Sequence, residues 1–288
     1  MSKPTIVVPS YDRPRQLEAC LAVLARLEGG PYPTVVVDDG SPTPLAPICE
    51  AAGDWVRCVR QDNAGPGIAR NRGVAEAASD LVLFTDDDCH PRPDWARRLI
   101  AAQGGTPLRL VGGRIVNALE GNLFSATSQS ILTYAYEAFE GFDGPFAFFT
   151  TNNICCRRED FLAVGGFDPS FRFASEDRDL SRRWQEAGGT LVHAPGAVVD
   201  HHHAMGPVKF ARQHWSYGRG ARQFHAKLAR EGGPDVSLNA PGFYAGLLLH
   251  PFRRPGPRAL ALSTLIGTAH AIQLAGYLTQ RRAERRTP

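Results

Sequence analysis

Leu81-Val82-Leu83-Phe84-Thr85-Asp86-Asp87-Asp88 is an apolar run that ends in three consecutive carboxylates. Four apolar residues without alternation read as a strand buried on both faces, with the acidic triplet at its carboxyl end. Upstream, Val35-Val36-Val37 is a second such strand and carries Asp38-Asp39-Gly40-Ser41 at its end. Thr5–Val8, ended by Pro9-Ser10-Tyr11, is a third, and Trp55–Val59 a fourth. Between them Leu17, Cys20, Leu21, Leu24 and Leu27 recur at helical spacing until Gly29-Gly30-Pro31 stops them. A further helix runs from about Ile68 to Ala78, after the loop Asn63-Ala64-Gly65-Pro66-Gly67. This alternation predicts a Rossmann-like, doubly wound, mostly parallel α/β sheet, whose ligands bind beyond the carboxyl ends of the strands.

Those ends define the chemistry. Three adjacent carboxylates repel one another unless a cation or hydrogen-bond donors neutralise them. Side-chain alternation predicts that Asp86 and Asp88 share one side, a pair suited to Mg²⁺ or Mn²⁺ with phosphate oxygens completing the shell. Asp39 can accept from a base N–H or a ribose hydroxyl, or Asp39-Gly40 is only a turn. Gly65-Pro66-Gly67 lets backbone approach a ligand, and Arg70, Asn71 and Arg72 bring guanidinium groups that favour phosphate. Neither the dinucleotide-binding glycine fingerprint nor the P-loop pattern is present. Further on, Glu176 and Asp177 stand where a helix begins, near Asp179, with Leu180 and Trp184 at helical spacing and Gly188-Gly189 as the stop. They either cap that helix or supply a general base. His201-His202-His203 follow Val198-Val199-Asp200, where one ring of the three would face the cleft and could ligate a metal.

Composition sets the limits. The 288 residues are 43% hydrophobic and 21% charged, which excludes a mainly disordered chain. A formal net charge of +3 is too small to imply a nucleic-acid partner. Six cysteines without a Cys-x-x-Cys pair fit reduced thiols, and the N-terminus does not read as a signal peptide, so a cytoplasmic location is expected. Residues from about Val111 to Ala194 read as mixed and loop-rich. Their aromatic stretch Phe139–Phe149 is either a platform whose rings stack on a ligand or core, and the loops at Gly112–Asn117 and Asn152-Asn153 are expected to shape ligand choice. The C-terminal third holds apolar Phe243–Leu249, a basic proline-rich break at Pro251–Arg258, and small-apolar Ala259–Leu278 flanked by arginines. That pattern suits a helix lying on the cytoplasmic face of a membrane better than a clean span, the alternative being a helix packed on the domain.

Taken in order, Thr5-Ile-Val-Val-Pro-Ser-Tyr-Asp-Arg13, Val35-Val-Val-Asp-Asp-Gly-Ser41, Asn63-Ala-Gly-Pro-Gly-Ile-Ala-Arg-Asn-Arg-Gly73, Leu81–Asp88, Gly165-Gly-Phe-Asp168 and Glu176-Asp-Arg-Asp-Leu180 resemble glycosyltransferase family 2 over residues 4 to 225. The resemblance implies a GT-A fold with a C-terminal helical extension. Its parts would be a nucleotide-sugar-binding half at 1–110, an acceptor-binding and catalytic half at 111–225, and a C-terminal helical segment, membrane-associated in this reading, at 226–288. It implies metal-dependent, inverting transfer from a nucleoside-diphosphate sugar to a glycan, lipid-linked or small-molecule hydroxyl, in cell-envelope polysaccharide synthesis. Pro9, Tyr11 and Arg13 would line the base pocket, Asp39 would accept from the base, and Gly67 and Arg70 would sit near the nucleotide. Asp86 would face the ribose with Asp87 beside it, Asp88 and His201 would serve the cation, and Asp177, paired with Glu176, would be the base.

One departure bears on processivity. The Gln-x-x-Arg-Trp motif of processive members is replaced by Arg212-Gln-His-Trp215, so transfer of one or a few sugars is expected. The competing classes are a haloacid-dehalogenase-like phosphohydrolase, whose nucleophile would end the first strand, and a non-catalytic nucleotide-sugar-binding subunit.

Overall fold

The computed structural model describes residues 3–138, 142, 144, 147–233, 241–253 and 256–284. Packing divides the chain into two compact units. The first comprises residues 1–118, 141–170 and 177–202, and the second residues 119–140, 171–176 and 203–288. The chain enters each unit more than once, whereas the segments 1–110, 111–225 and 226–288 expected from sequence are consecutive.

The first unit is built on an eight-stranded sheet. Its strands are β1 (Thr5–Ser10), β2 (Thr34–Asp38), β3 (Val56–Arg60), β4 (Leu81–Phe84), β5 (Cys89–Pro91), β6 (Arg109–Asn117), β7 (Ile154–Arg157) and β8 (Thr190–His201). They lie in the order β3-β2-β1-β4-β7-β6-β8-β5. The β1–β2, β1–β4, β2–β3 and β6–β8 pairs are parallel. Strand β7 runs antiparallel to β4 and β6, and β5 antiparallel to β8, so the doubly wound half is extended by a mixed edge.

Helices cover both faces. On one, α1 (Pro14–Leu24) brings Leu17, Leu21 and Leu24 and α4 (Trp95–Gln103) brings Trp95 and Leu99 against Ile6, Val8, Val36 and Leu83. Short α2 (Ala46–Ala52) adds Cys49 to the same cluster. On the other, Ala69 of α3 (Pro66–Glu76) meets Val35, Val37 and Val59. Each buried Leu, Ile or Val among them is worth about 1.5–3 kcal/mol of transfer free energy. Gly73 brings α3 onto the sheet, since a Cβ there would collide with Val7 Cγ1.

The stretch expected to be loop-rich is more ordered than its sequence indicates. It holds β6, β7, β8, α5 (Leu123–Ala138), α6 (Arg158–Ala163) and α7 (Glu176–Glu186). The β6–β8 ladder absorbs a bulge between Gly113 and Arg114. Asn153 braces that bulge by donating to the Arg114 and Ala197 carbonyls, both at 3.0 Å, and accepting from Trp95 Nε1 at 2.8 Å. Of the aromatic stretch, Phe142, Phe148 and Phe149 are core residues, which removes them as an exposed acceptor platform. Phe139 and Phe146 lie outside the described residues.

The second unit is helical, with α5, α8 (Pro207–Arg230), α9 (Pro241–Leu249) and α10 (Pro257–Glu284). Its core joins Met205, Phe210 and Ala269 with Phe124 and Ile131. Gly218 of α8 faces the Gln273 carbonyl and Gly276 of α10 faces the Trp215 carbonyl, so the two backbones touch where no Cβ would fit.

Candidate active site

Four strand ends and one helix start carry the site. The backbone after β1 turns through Asp12, whose φ of 53° is left-handed and whose amide donates to Ser41 Oγ at 3.0 Å. That turn aims Arg13 at the acidic triplet. Its Nη1 lies 2.9 Å from Asp87 Oδ1 and 3.0 Å from Asp88 Oδ2. Ser10 Oγ donates to the other Asp87 oxygen at 2.7 Å. Arg70, buried in α3, donates to Asp86 Oδ1 at 2.6 Å.

The grouping therefore differs from strand alternation. Strand β4 stops at Phe84, residues 87 and 88 lie in a turn, and Asp87 and Asp88 share Arg13 while Asp86 turns to Arg70. Burial, with Asp88 as a neighbour, lifts the Asp87 carboxyl to about 6 although Arg13 and Ser10 pull the other way. Burial lowers the Arg13 guanidinium, but Asp87 and Asp88 outweigh it and leave the group more firmly protonated.

The β5–β8 ladder supplies the next component. Cys89 pairs with His201, and the His202 amide donates to the Asp88 carbonyl at 2.8 Å. This backbone register sets His201 Nε2 3.2 Å from Asp88 Oδ1. Among the three histidines, His201 is thus the one beside Asp88. His202 packs against His90 with ring centroids 3.9 Å apart and planes tilted by 40°, and the His203 carbonyl accepts from Ser125.

The ligand atoms of Asp88, Cys89 and His201 lie within 4.8 Å of one another. The buried Cys89 thiol is held far above its ordinary range by desolvation, then by Asp86 and Asp88. It stays a neutral S–H against Asn152 Nδ2 at 3.5 Å, a poor ligand. Among the described residues, Asp88 and His201 are thus the candidate ligands that this cluster offers a divalent cation.

Beyond β2, Asp38 and Asp39 hold loops in place. Asp38 takes the Ser41 and Leu45 amides and the Arg60 guanidinium. Burial would raise it, but these donors win and its carboxyl lies below the ordinary value. Asp39 accepts from Gln61 at 2.7 Å and from the Ala64 and Gly65 amides at 2.9 Å, pinning the loop that leads to Gly67 in the first turn of α3. Tyr11 is 48% exposed and Pro9 is buried. Asn71 clamps the Gly165-Gly166-Phe167 turn, accepting from the Phe167 amide at 2.8 Å and donating to its carbonyl at 2.7 Å.

Asp177, in the first turn of α7 and next to Glu176, accepts from the Arg178 amide at 2.8 Å. Desolvation raises its carboxyl above the ordinary range, partly opposed by Arg178 and by Arg70. A carboxylate raised in this way is a stronger proton acceptor than an ordinary one. The neighbouring Asp179 is buried and bound to Arg182 and Arg183, which makes it a brace for α7. Sequence reading did not single out Ser10, Arg60 or Cys89. Ser10 and Cys89 border residues it did choose, and Arg60 lacks a local signal because its partner Asp38 is on another strand.

The mixed sheet, with its Asp-rich strand end beside a histidine of β8, has the architecture of the GT-A fold. The sequence model described as Glycosyl transferase family 2 matches residues 5–167, and the chain belongs to that family. The pre-mycofactocin glycosyltransferase of Mycobacterium tuberculosis (strain ATCC 25618 / H37Rv) is 31% identical over 205 residues, covering 69% of this chain and 42% of that protein. Glycosyltransferase AglE of Haloferax volcanii is 24% identical over 208 residues, covering 68% of this chain and 66% of its own length. The structure of GalNAc-T7 with UDP, GalNAc and Mn²⁺ superposes with a TM-score of 0.59 at 15% identity, over 86% of this chain and 54% of that one. The mannosyltransferase PcManGT of Pyrobaculum calidifontis, in complex with GDP-Man and Mn²⁺, gives 0.58 at 18% identity, over 98% and 79%. Both share the fold.

Proposed function

We propose that this chain transfers a sugar, with inversion, from a nucleoside-diphosphate sugar to a hydroxyl acceptor, using a divalent cation, Asp88 and His201 at the diphosphate, and Asp177 as base. Pro9, Tyr11, Arg13 and Asp39 border the base, Gly67 and Arg70 the nucleotide, and Asp86 and Asp87 the ribose side. One carboxylate and one imidazole favour Mn²⁺ over Mg²⁺, which prefers an all-oxygen shell. The two GT-A neighbours described with Mn²⁺ and a nucleotide or nucleotide sugar support the same choice. When bound, the cation offsets negative charge on the departing diphosphate.

The chain's own groups do the rest. Asp177 takes the acceptor hydroxyl proton, the acceptor oxygen bonds to the anomeric carbon, and the sugar–diphosphate bond breaks on the opposite face. Arg70 holds Asp86 and keeps Asp177 ionised for more of the pH range. The acceptor is a glycan, a lipid-linked sugar or a small molecule, the transfer is non-processive, and the place of work is the cytoplasmic face of the cell envelope, reached through the C-terminal helices. The observation that carries this reading is the contact between Asp88 and His201 at the carboxyl end of the sheet, and Asp177 at the start of α7 supports it.

Thermal unfolding against a panel of nucleoside diphosphates, with and without Mn²⁺, tests it. Ligand that binds only the native state raises the midpoint. A rise needing both Mn²⁺ and one nucleotide is expected and names the donor's base. A midpoint unmoved by every combination would overturn the assignment.

A further inference from the structure

We infer that the solvent face of α10, together with the end of α9, is a landing surface that lies in the plane of an anionic lipid bilayer. This rests on the surface-bound part of the reading above and gives it residues and a lipid chemistry. Helix α10 is long and apolar enough to cross a membrane, yet only 22% of its most apolar window is buried. Its two faces separate cleanly. Ala259, Ile266, Ala269 and Gly276 are buried within the unit, while Leu260, Thr264, Thr268, Ala271, Leu274 and Leu278 are exposed at spacings of three and four. Leu260 is 67% exposed and Leu274 58%. The exposed row carries no charge for about 30 Å, at 1.5 Å per residue.

The patch extends beyond the helix. A Cβ placed on Gly267 would touch Leu248 Cδ2, so the end of α9 joins this row. Leu249, 63% exposed, and Phe252, 44% exposed, follow Leu248 in the chain. Isolated exposed leucines are ordinary, but an adjoining set on two elements marks a binding surface.

Charge selects the occupant. Exposed Arg253 and Arg258 precede the apolar row and exposed Arg281 and Arg282 follow it. From Pro257 to Ala283 there is no acidic side chain. Glu284 is paired with Arg222 and Glu137 with Arg253, while Arg258 donates to the backbone carbonyl of exposed Glu120. An uncharged row between basic ends matches acyl chains beneath anionic headgroups.

The partner of α10 argues against a span. Its buried face touches α8, a helix that carries Lys209, Arg212, Arg219, Arg222, Lys227 and Arg230. Carrying those cations into hydrocarbon is prohibitive, and separating the helices would strip Arg219 from Gln280 and Arg222 from Glu284. An in-plane orientation keeps α8 in water and the leucines in lipid.

The test is co-sedimentation of the purified full chain with phosphatidylcholine vesicles, with and without phosphatidylglycerol, at low and high salt. Strong binding to the anionic vesicles, weakened by salt, is expected. The triple variant Leu260→Glu, Leu274→Glu, Leu278→Glu should bind at least about tenfold more weakly, and each of Arg281→Gln and Arg282→Gln should cost about fivefold. The single variant Leu274→Ser, with an unchanged melting curve, guards against misfolding and should show a smaller loss. Equal binding by the triple variant overturns the inference, as does absence of wild-type binding at low salt. A vesicle-indifferent dimer that the glutamates dissociate assigns the face to a second copy and also overturns it. The Mn²⁺-dependent nucleotide shift, measured on the same samples, separates the two proposals: its absence with vesicle binding retained sinks the transferase reading alone.

Discussion

His201 Nε2 lies 3.2 Å from Asp88 Oδ1, and the opposite oxygen of the same carboxylate lies 3.0 Å from Arg13 Nη1. Asp88 is thus held between an imidazole that can ligate a metal and a guanidinium that cannot. A cation arriving at Asp88 and His201 meets a carboxylate already oriented by Arg13 and by the β5–β8 ladder. Binding is expected to weaken if either ligand is lost. Asp88→Asn and His201→Ala should each lower Mn²⁺-supported turnover by about 10²–10⁴, the scale of several kcal/mol of charge stabilisation. Titration of Mn²⁺ in a steady-state assay checks this, and unchanged metal dependence in both variants would remove the site.

Asp177→Asn keeps the shape of the carboxylate and removes its basicity. Turnover should fall by about 10²–10⁴, the usual contribution of a general base. The Mn²⁺-dependent nucleotide shift in melting temperature should persist, because donor binding does not need the base. Retained wild-type turnover would reassign the proton acceptor.

The pH profile carries a second test of the same residue. A base works only when ionised, and burial holds Asp177 above the ordinary carboxylate range, so activity should fall with acidification at a pH above that range. Arg70 opposes that rise. Arg70→Met should therefore move the acid limb to higher pH, besides leaving Asp86 without its guanidinium. A limb that stays in place in Arg70→Met would break the electrostatic link. Circular dichroism guards against trivial unfolding, since losing one partner of a buried ion pair costs about 3 kcal/mol.

Much of the left half of the sheet was legible. Val35–Val37 and Val82–Phe84 are buried, so unbroken apolar runs identify them, and their acidic ends fall at strand termini as expected. Strand β6 and the first half of β8 are hidden because they pass through Gly112, Gly113, Pro195 and Gly196, residues that ordinarily mark loops, whereas Val198-Val199-Asp200 reads as a strand end. Helix α8 was obscured by Gly218 and Gly220, whose small size is set by approach to the Gln273 and Ala174 carbonyls. In the site, local pattern offers Asp88 and any one of His201, His202 and His203, and only the family resemblance singles out His201. The contact between Asp88 and His201 was not readable, because it follows from strand pairing between distant segments. The sharing of Arg13 by Asp87 and Asp88 was missed for a different reason: alternation rules hold only while the strand continues, and this one has ended at Phe84.

Asp87 gives a stability test that is independent of turnover. Its carboxyl ordinarily titrates near 3.8 and burial raises it to about 6 in the folded protein. Between those values the native state holds more protons than the unfolded chain, so stability falls as pH rises. The contribution of protonated Asp87 is complete below the unfolded value and lost as pH climbs through about 6. Its full size is about 3 kcal/mol at 1.36 kcal/mol per pKa unit. Asp87→Asn keeps a neutral side chain at every pH, so its stability should gain on the wild type as the pH rises from about 4 to about 8. Some of that gain is offset by weaker contacts to Ser10 and Arg13, which leaves the sign of the slope unchanged. Urea unfolding of both proteins in chelator, across that pH series, measures the difference. Parallel curves would mean that Arg13 and Ser10 already compensate burial in full, and Asp87 would then be an ordinary ionised carboxylate.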